Sequence, residues 1–411
     1  MDKRKTVKEK NKELAKSGKQ LKKYGIVLRI YPTNTQKLLI KQTFGCARFV
    51  YNKYLSDRQK YYKDTGKTLS MYDYKSNYLN PMKGLDEYSF LKSVDKFALE
   101  TAIENVVDAY DRFFKGQNGF PKFKSKHKAK QAYTTKYTNN NIEIINESIK
   151  LPKLKLIKFH MPNKKHISEN LQNIIDKEAQ IKSVTISERA GKYYASLSCE
   201  ELIDIIKPVD LKSVDYDKVV GIDLGLIDFA TISNGKTDEK IPSPKYLIKA
   251  EKKLIKEQRG LSKKKEASKN FIKAKKKVAK VHEKISNQRK DFHHQLSRKL
   301  VNENQVVIVE DLNIKAMVKN KNLAKSISDA GWSRFITYLD YKLKIEGKYL
   351  VKVDRWFASS KICSGCKDKN IMLTLNDRVW VCNNCKAEHN RDVNASLNIR
   401  NEGIKNLKQI A

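Results

Sequence analysis

Six cysteines are present, and four of them are arranged for metal. Cys363 and Cys366 are separated by two residues, as are Cys382 and Cys385, with fifteen residues between the pairs. Each pair can close a tight knuckle, and two knuckles present four thiolates to a tetrahedral Zn²⁺. Ser364-Gly365 and Asn383-Asn384 supply turn-forming residues inside the knuckles. Four thiolates fill the coordination sphere, so the site reads as structural. Redox pairs and an iron–sulfur cluster are the competing uses of this pattern. His389 is a rival ligand with poorer spacing and is expected on the surface. Cys46 and Cys199 stand alone and are expected to be small buried hydrophobes.

Three carboxylates form a second candidate set. Asp223 sits in Val219-Val220-Gly221-Ile222-Asp223-Leu224-Gly225, an apolar run flanked by glycines. Glu310 closes the run Val306-Val307-Ile308-Val309. Asp392 follows the cysteines in His389-Asn390-Arg391-Asp392-Val393-Asn394-Ala395-Ser396. An acid in or beside a core strand is costly unless a metal or a base compensates it. Three such acids from separate elements, gathered at one spot, would hold two Mg²⁺ ions. That arrangement activates water and stabilises the leaving oxygen in phosphodiester cleavage. Spacing alone does not bring them together, and each taken singly reads equally as a strand-end acid facing solvent. Asp228 and Asp311 are local competitors.

The elements that must position these residues follow from pattern. Residues 1–24 carry ten Lys/Arg and three acids and read as a basic arm, mobile when unbound. Residues 25–32 read as a strand ended by Pro32, and Thr33 or Asn34 offers a helix N-cap. Helical spacing of apolar residues recurs over 44–62 and 94–114. Residues 115–128 change character: Gly and Pro break the helix, and Phe120 and Phe123 alternate with lysines, a mixture suited to backbone charge plus base stacking. Residues 130–205 read as β, with strands at 142–149 and 154–159 and a hairpin from 181–187 to 192–199. A linker at 210–217 precedes strands at 219–225 and 229–233. One or two long helices span 247–301, and residues 251–280 hold thirteen Lys/Arg against three acids, a basic helical face. A strand at 306–311, a helix at 331–345, a strand at 349–356 and a helix at 390–406 complete the chain.

The composition fits this reading. The 411 residues include 85 Lys+Arg and 46 Asp+Glu, a formal net charge of +39. Charged residues are 32%, above the roughly 25% of an average chain. An excess this large needs a polyanion, and nucleic acid is the usual one. No run of about 18 apolar residues exists for a membrane span, and the lysine-rich start lacks the apolar stretch of a signal peptide. A cytoplasmic protein with no membrane partner is expected.

Read together, several segments resemble a known family. Gly-Ile-Asp-Leu-Gly at 221–225, Val-Glu-Asp-Leu-Asn at 309–313 and Asn-Arg-Asp-Val-Asn-Ala-Ser-Leu-Asn-Ile at 390–399 are similar to the three RuvC-type motifs of TnpB (OrfB) proteins. These are encoded by insertion sequences and related to type V CRISPR effectors. Phe-Gly-Cys-Ala-Arg-Phe-Val-Tyr-Asn at 44–52, Gly-Phe-Pro-Lys-Phe-Lys-Ser-Lys at 119–126, the segment 282–293 and Ser-Ser-Lys-Ile-Cys-Ser-Gly-Cys at 359–366 agree, in the expected order over nearly the whole chain.

The resemblance implies an α/β chain with β-rich and helical parts. An RNase H-like RuvC nuclease domain would span 211–411, with a zinc ribbon inserted at 359–388. An N-terminal β-barrel-like wedge domain, 25–32 and 129–210, would be interrupted by a helical recognition insertion at 33–128. The resemblance makes Asp223, Glu310 and Asp392 the catalytic Mg²⁺ ligands. It implies RNA-guided cleavage of double-stranded target DNA beside a short motif, with a guide RNA from the element's end and the element's transposase as a functional partner. Rival readings are a guide-independent transposase or accessory protein of the same fold, and a nuclease-dead DNA-binding regulator. No two histidines flank a single residue, as a Tyr/His-pair transposase requires. Two positions depart from the family: Lys367 replaces the usual Gly after the second cysteine, and Asn390 stands where an acid is common.

Overall fold

The computed structural model describes residues 7–126, 129–161, 165–266, 268–374 and 376–410, in two units, 1–205 and 206–411. The first unit opens with α1 (Val7–Leu14) and the long strand β1 (Lys19–Tyr31). The expected mobile arm is therefore structured from residue 7 onward; residues 1–6 lie outside the described residues. The cause is an acidic partner strand: Lys19, Lys22 and Lys23 pair with Asp204, Glu201 and Glu200 at 2.7, 3.0 and 2.9 Å.

Pro32 ends β1, and α2 (Asn34–Thr65) begins behind a capping box. The Gln36 N–H donates to the Thr33 hydroxyl, while the Thr33 N–H donates to the Gln36 side-chain Oε1. The short helices α3 (Met71–Tyr74) and α4 (Asn80–Gly84) lead to α5 (Lys96–Phe114), capped by Asp95. Ile40, Val50, Tyr54 and Leu55 of α2 share a buried core with Leu99, Ile103 and Val106 of α5. Each such side chain contributes roughly 1.5–3 kcal/mol by leaving water.

Strands β2 (Ala132–Lys136), β3 (Glu143–Ile145), β4 (Ser148–Leu151) and β5 (Lys155–Phe159) follow. The single strand expected at 142–149 is two, because Asn146 turns the chain with φ 50°. Helix α6 (Lys165–Ile175) interrupts the region read as all β. Its signal is the helical spacing of Ile167, Leu171 and Ile174, which pack on the core. Strands β6 (Ala179–Arg189) and β7 (Lys192–Asp204) form the expected hairpin through Ala190-Gly191, both with positive φ. All seven strands form one antiparallel sheet in the order β2-β6-β7-β1-β5-β4-β3.

The second unit is built on a five-stranded sheet, β10-β9-β8-β11-β12. Its strands are β8 (Val219–Asp223), β9 (Asp228–Ser233), β10 (Asp238–Pro242), β11 (Val306–Glu310) and β12 (Tyr349–Val353). β8, β11 and β12 run parallel. Between β10 and β11 lie α7 (Tyr246–Ser262) and α8 (Lys269–Glu303); between β11 and β12 lie α9 (Ile314–Met317), α10 (Ala324–Ala330) and α11 (Trp332–Ile345). β8 and β11 are apolar throughout their buried stretches, as strands covered on both faces must be. Phe229, Leu300, Phe335 and Leu339 fill one face; Val219, Ile308, Val353 and Ile399 fill the other. The hairpin β13 (Val379–Val381) and β14 (Glu388–Asn390) precedes α12 (Arg391–Ile410).

Candidate active site

Asp223 is the last residue of β8 and Glu310 the last residue of β11. The parallel register pairs Val309 with Ile222, so the two acids are neighbours one step further on. They stand at the carboxyl ends of parallel strands, where α/β sheets bind ligands. Asp392 comes from the first turn of α12, where the helix dipole favours a negative charge.

Close approach of α12 to the sheet sets the position of Asp392. A Cβ on Gly221 would lie 2.2 Å from the Ser396 carbonyl oxygen and 2.6 Å from the Arg400 nitrogen. The helix thus rests on a strand residue that has no side chain. Arg400 locks the contact, its guanidinium donating to the Val219 and Tyr216 carbonyls at 2.9 and 2.7 Å. Asn390, in the place of an acid, accepts the Val393 N–H at 3.3 Å and caps the helix.

Asp223 and Glu310 stand side by side on adjacent strands, and the charge of Asp392 also acts on Asp223. The Asp223 carboxyl is pushed up to about 7, first by burial, then by the negative charges of Glu310 and Asp392. Burial also raises Glu310, against the hydrogen bond that it accepts from the Ser359 hydroxyl. Arg378, just before β13, pairs with Asp392 at 3.5 Å. Asp223, Glu310 and Asp392 are each half-buried, and carboxylate oxygens are the donors that a hard cation such as Mg²⁺ takes. The competitor Asp311 is engaged elsewhere, by Lys352 at 3.1 Å and Arg355 at 2.6 Å, which hold it below its usual range.

The four cysteines also converge. Their sulfurs lie within 4.8 Å of one another, with Cys363–Cys385 at 3.6 Å and Cys366–Cys382 at 3.5 Å. Four sulfurs at this spacing match a tetrahedral Zn²⁺ set. Lys367 adopts φ 67°, so the knuckle keeps the left-handed turn that a glycine usually supplies, and Lys386 repeats it at φ 61°. His389 is not the free surface residue expected: its Nε2 lies 3.0 Å from the Cys363 sulfur, and its ring meets Trp380 at 4.8 Å. Cys46 and Cys199 are buried, as expected.

Residues beyond the motif acids join the two centres. Asn394 and Asn398, one turn apart on α12, are 1% and 2% exposed. Asn394 accepts the Ser364 N–H at 2.8 Å and donates to the Ile362 carbonyl at 2.7 Å. Asn398 donates to the Ser359 and Ile362 carbonyls. The first knuckle is thereby tied to the helix that carries Asp392. Neither these asparagines, nor Ser359, nor Arg378 was legible as functional. The asparagines' one signal was a polar side chain recurring at helical spacing on a core-facing stripe.

Two basic regions accompany these centres. A cleft of about 390 Å³ between α7 and α8 is lined by Tyr246, Lys249, Lys253, Lys280 and Lys284, with no acid in its lining. In the first unit, Lys124 lies over the Tyr51 ring at 3.5 Å, and Asn52 bonds both backbone groups of Lys124. Phe120 and Phe123 are both exposed there, and Phe120 also packs edge-on against Tyr110 and Phe113. Residues 127–128 of that segment lie outside the described residues.

Family models match three stretches of the chain: a probable transposase over 203–321, a Cas12f1-like TNB domain over 332–399 and a helix-turn-helix domain over 23–67. In the last stretch the structure has a strand followed by one continuous helix, not two helices and a turn. A Streptomyces pristinaespiralis protein, named as a candidate RNA-guided DNA endonuclease, is 36% identical over 377 residues, 92% of this chain and 88% of its own. InsQ of Escherichia coli K12, named in the same way, is 27% identical over 397 residues, 93% of this chain and 92% of its own. Among solved structures, Cas12f1 from its complex with sgRNA and target DNA matches with TM-score 0.58 at 15% identity, covering 92% of this chain and 99% of that one. That likeness establishes a shared fold. With more than a third of positions identical along nearly the full length of a relative, the chain belongs to the TnpB (OrfB) family of insertion-sequence proteins.

Proposed function

We propose that this protein is an RNA-guided DNA endonuclease that cuts phosphodiesters with Asp223, Glu310 and Asp392. The observation that carries the reading is the adjacency of Asp223 and Glu310 at the carboxyl ends of β8 and β11, with Asp392 in the first turn of the helix packed on β8. Their chain is 36% identical to a relative named for the same activity.

The acids would hold two Mg²⁺ ions, which when bound supply an activated water and a stabilised leaving oxygen. The protein's own groups do the positioning. Ser359 orients the Glu310 carboxylate by donating to it. Arg378, next to Asp392, balances that acid before substrate arrives and offers its guanidinium to the scissile phosphate afterwards. Cys363, Cys366, Cys382 and Cys385 hold a structural Zn²⁺ that keeps the knuckles, and through Asn394 and Asn398 the end of α12, in place.

Recognition is divided. Base pairing to a guide RNA reads the target sequence, while protein surfaces read duplex shape, backbone and a short adjacent motif. The lysine-lined cleft of α7 and α8 serves the phosphate backbone. The seven-stranded sheet serves as the barrel-like wedge around the helical recognition insertion at 33–128, and the nuclease domain runs over 211–411 with its zinc ribbon at 359–388. The protein acts in the cytoplasm and works alongside the element's transposase. Among the described residues, no helix is long and apolar enough to cross a membrane.

The second reading, a guide-independent transposase, is favoured by the family description over 203–321. Sequencing the RNA that copurifies with the protein separates the two. RNA from the element's own end is expected. Strand transfer by RNA-free protein would establish the transposase reading instead.

A further inference from the structure

Trp356 is 86% exposed, whereas the other two tryptophans, Trp332 and Trp380, are 2% and 6% exposed. A single exposed apolar residue is ordinary on a protein surface. The placement of this one is not. The loop that carries it, residues 354–359, begins and ends at Glu310. It leaves β12 after Val353, which is the register partner of Glu310. It returns through Ser359, whose hydroxyl donates to the Glu310 carboxylate.

The loop is also held. The Trp356 N–H donates to the Asp354 side chain at 2.7 Å, and the Phe357 N–H to the Asp354 carbonyl at 3.1 Å. Arg355 is anchored to Asp311 at 2.6 Å. Phe357 packs into the core with Ile308 and Val353. Residues on both sides of Trp356 are therefore fixed, and its indole is left in solvent at the tip of a loop rooted on the acid proposed to do the cutting. A solvent-facing indole on a fixed stretch of backbone is a stacking platform. Every nucleobase has a π-face to lay on it, and an unpaired base has one to spare.

We propose that Trp356 stacks an unpaired base of the strand being cut and so positions the neighbouring phosphodiester over Glu310. The residue is a positioning group, and the proposal rests on the nuclease reading above. Its ligand class is single-stranded nucleic acid; a duplex presents no free base face at this tip.

The test uses the full-length protein, without added Mg²⁺, and two probes: a short oligothymidylate and the same backbone with abasic sites. Because Trp332 and Trp380 are buried, quenching of accessible tryptophan emission reports on Trp356. The thymidylate is expected to quench it and the abasic strand is not. Wild type is expected to prefer the thymidylate by about 5- to 150-fold, the range of one base–aromatic stack. Read by anisotropy of end-labelled probes, because the variants lack the reporting indole, Trp356→Ala should erase that preference and Trp356→Phe should keep most of it. The dependence of affinity on salt should stay unchanged, since no phosphate contact is lost. Zinc content and melting temperature of both variants serve as folding controls. Equal affinity for both probes in wild type, an unaltered preference in Trp356→Ala, or failure of Trp356→Phe to restore it overturns the proposal. So does a quench by duplex as large as by single strand. The nuclease reading fails separately, if wild type with its guide and Mg²⁺ does not cut.

Discussion

Replacing Gly221 with alanine tests whether the packing of α12 on β8 sets the position of Asp392. The new Cβ would sit 2.2 Å from the Ser396 carbonyl oxygen, 2.6 Å from the Arg400 nitrogen and 2.7 Å from the Arg400 Cβ, where ordinary contact begins at 3.4 Å. Two of these atoms are backbone, so a rotamer change gives no relief and the helix must retreat by about an ångström. Such overpacking costs about 1–3 kcal/mol, and each kcal/mol lowers the melting temperature of a unit this size by roughly 2–4 °C. Displacing a reacting group by about 1 Å costs on the order of 10²-fold in rate. Thermal unfolding and plasmid cleavage with the copurified RNA read the two effects. Gly45→Ala is the control. It lies inside α2, with nothing within 4 Å of a new Cβ, and should gain about 0.5–1 kcal/mol with cleavage unchanged. Wild-type stability and cleavage in Gly221→Ala would refute the packing argument. A lowered melting temperature with full cleavage would show that the contact does not position Asp392.

Ser359→Ala should slow cleavage about 10- to 100-fold, because Glu310 loses the donor that orients it; zinc content measured on the same sample should not change. Asn398→Ala leaves the Ser359 carbonyl without its buried donor and the Ile362 carbonyl with Asn394 alone, a loss of about 1–3 kcal/mol, and should speed zinc release to a chelator. His293, buried against Phe229 and Phe335 with Arg289 and Arg334 nearby, has its pKa lowered from 6.5 to about 4, chiefly by burial. The unfolded chain therefore binds the extra proton between pH 6.5 and about 4, so stability is lost as pH falls through that window, by about 3 kcal/mol in all. Urea midpoints across this range should slope less in His293→Gln.

Local sequence carried much of this site. Asp223 sat inside one apolar run and Glu310 closed another, both readable as strands, and the cysteine spacing prescribed two knuckles. The register that makes the two acids neighbours was not legible, since parallel pairing across more than eighty residues leaves no local mark. Ser359, Asn394 and Asn398 look like ordinary surface polar residues until the knuckle folds against α12 and buries them. The N-terminal lysines misled for the same reason: a run of cations reads as a solvated arm unless the acids that pair with it, here Glu200, Glu201 and Asp204, are known to lie on the adjoining strand. Helix α6 was masked by the β-rich segments on either side of its eleven residues, although Ile167, Leu171 and Ile174 carry a helical spacing.

The account stands on three acids cutting DNA at a site chosen by RNA. The direct measurement is plasmid cleavage by the RNA-loaded protein in Mg²⁺, with guides matched and unmatched to the plasmid, for wild type and for Asp392→Ala. Cutting by wild type only where the guide matches, and none by the variant although it still binds the RNA, is the predicted result. Mg²⁺-dependent cutting retained in Asp392→Ala, or cutting by wild type that ignores the guide, would contradict it.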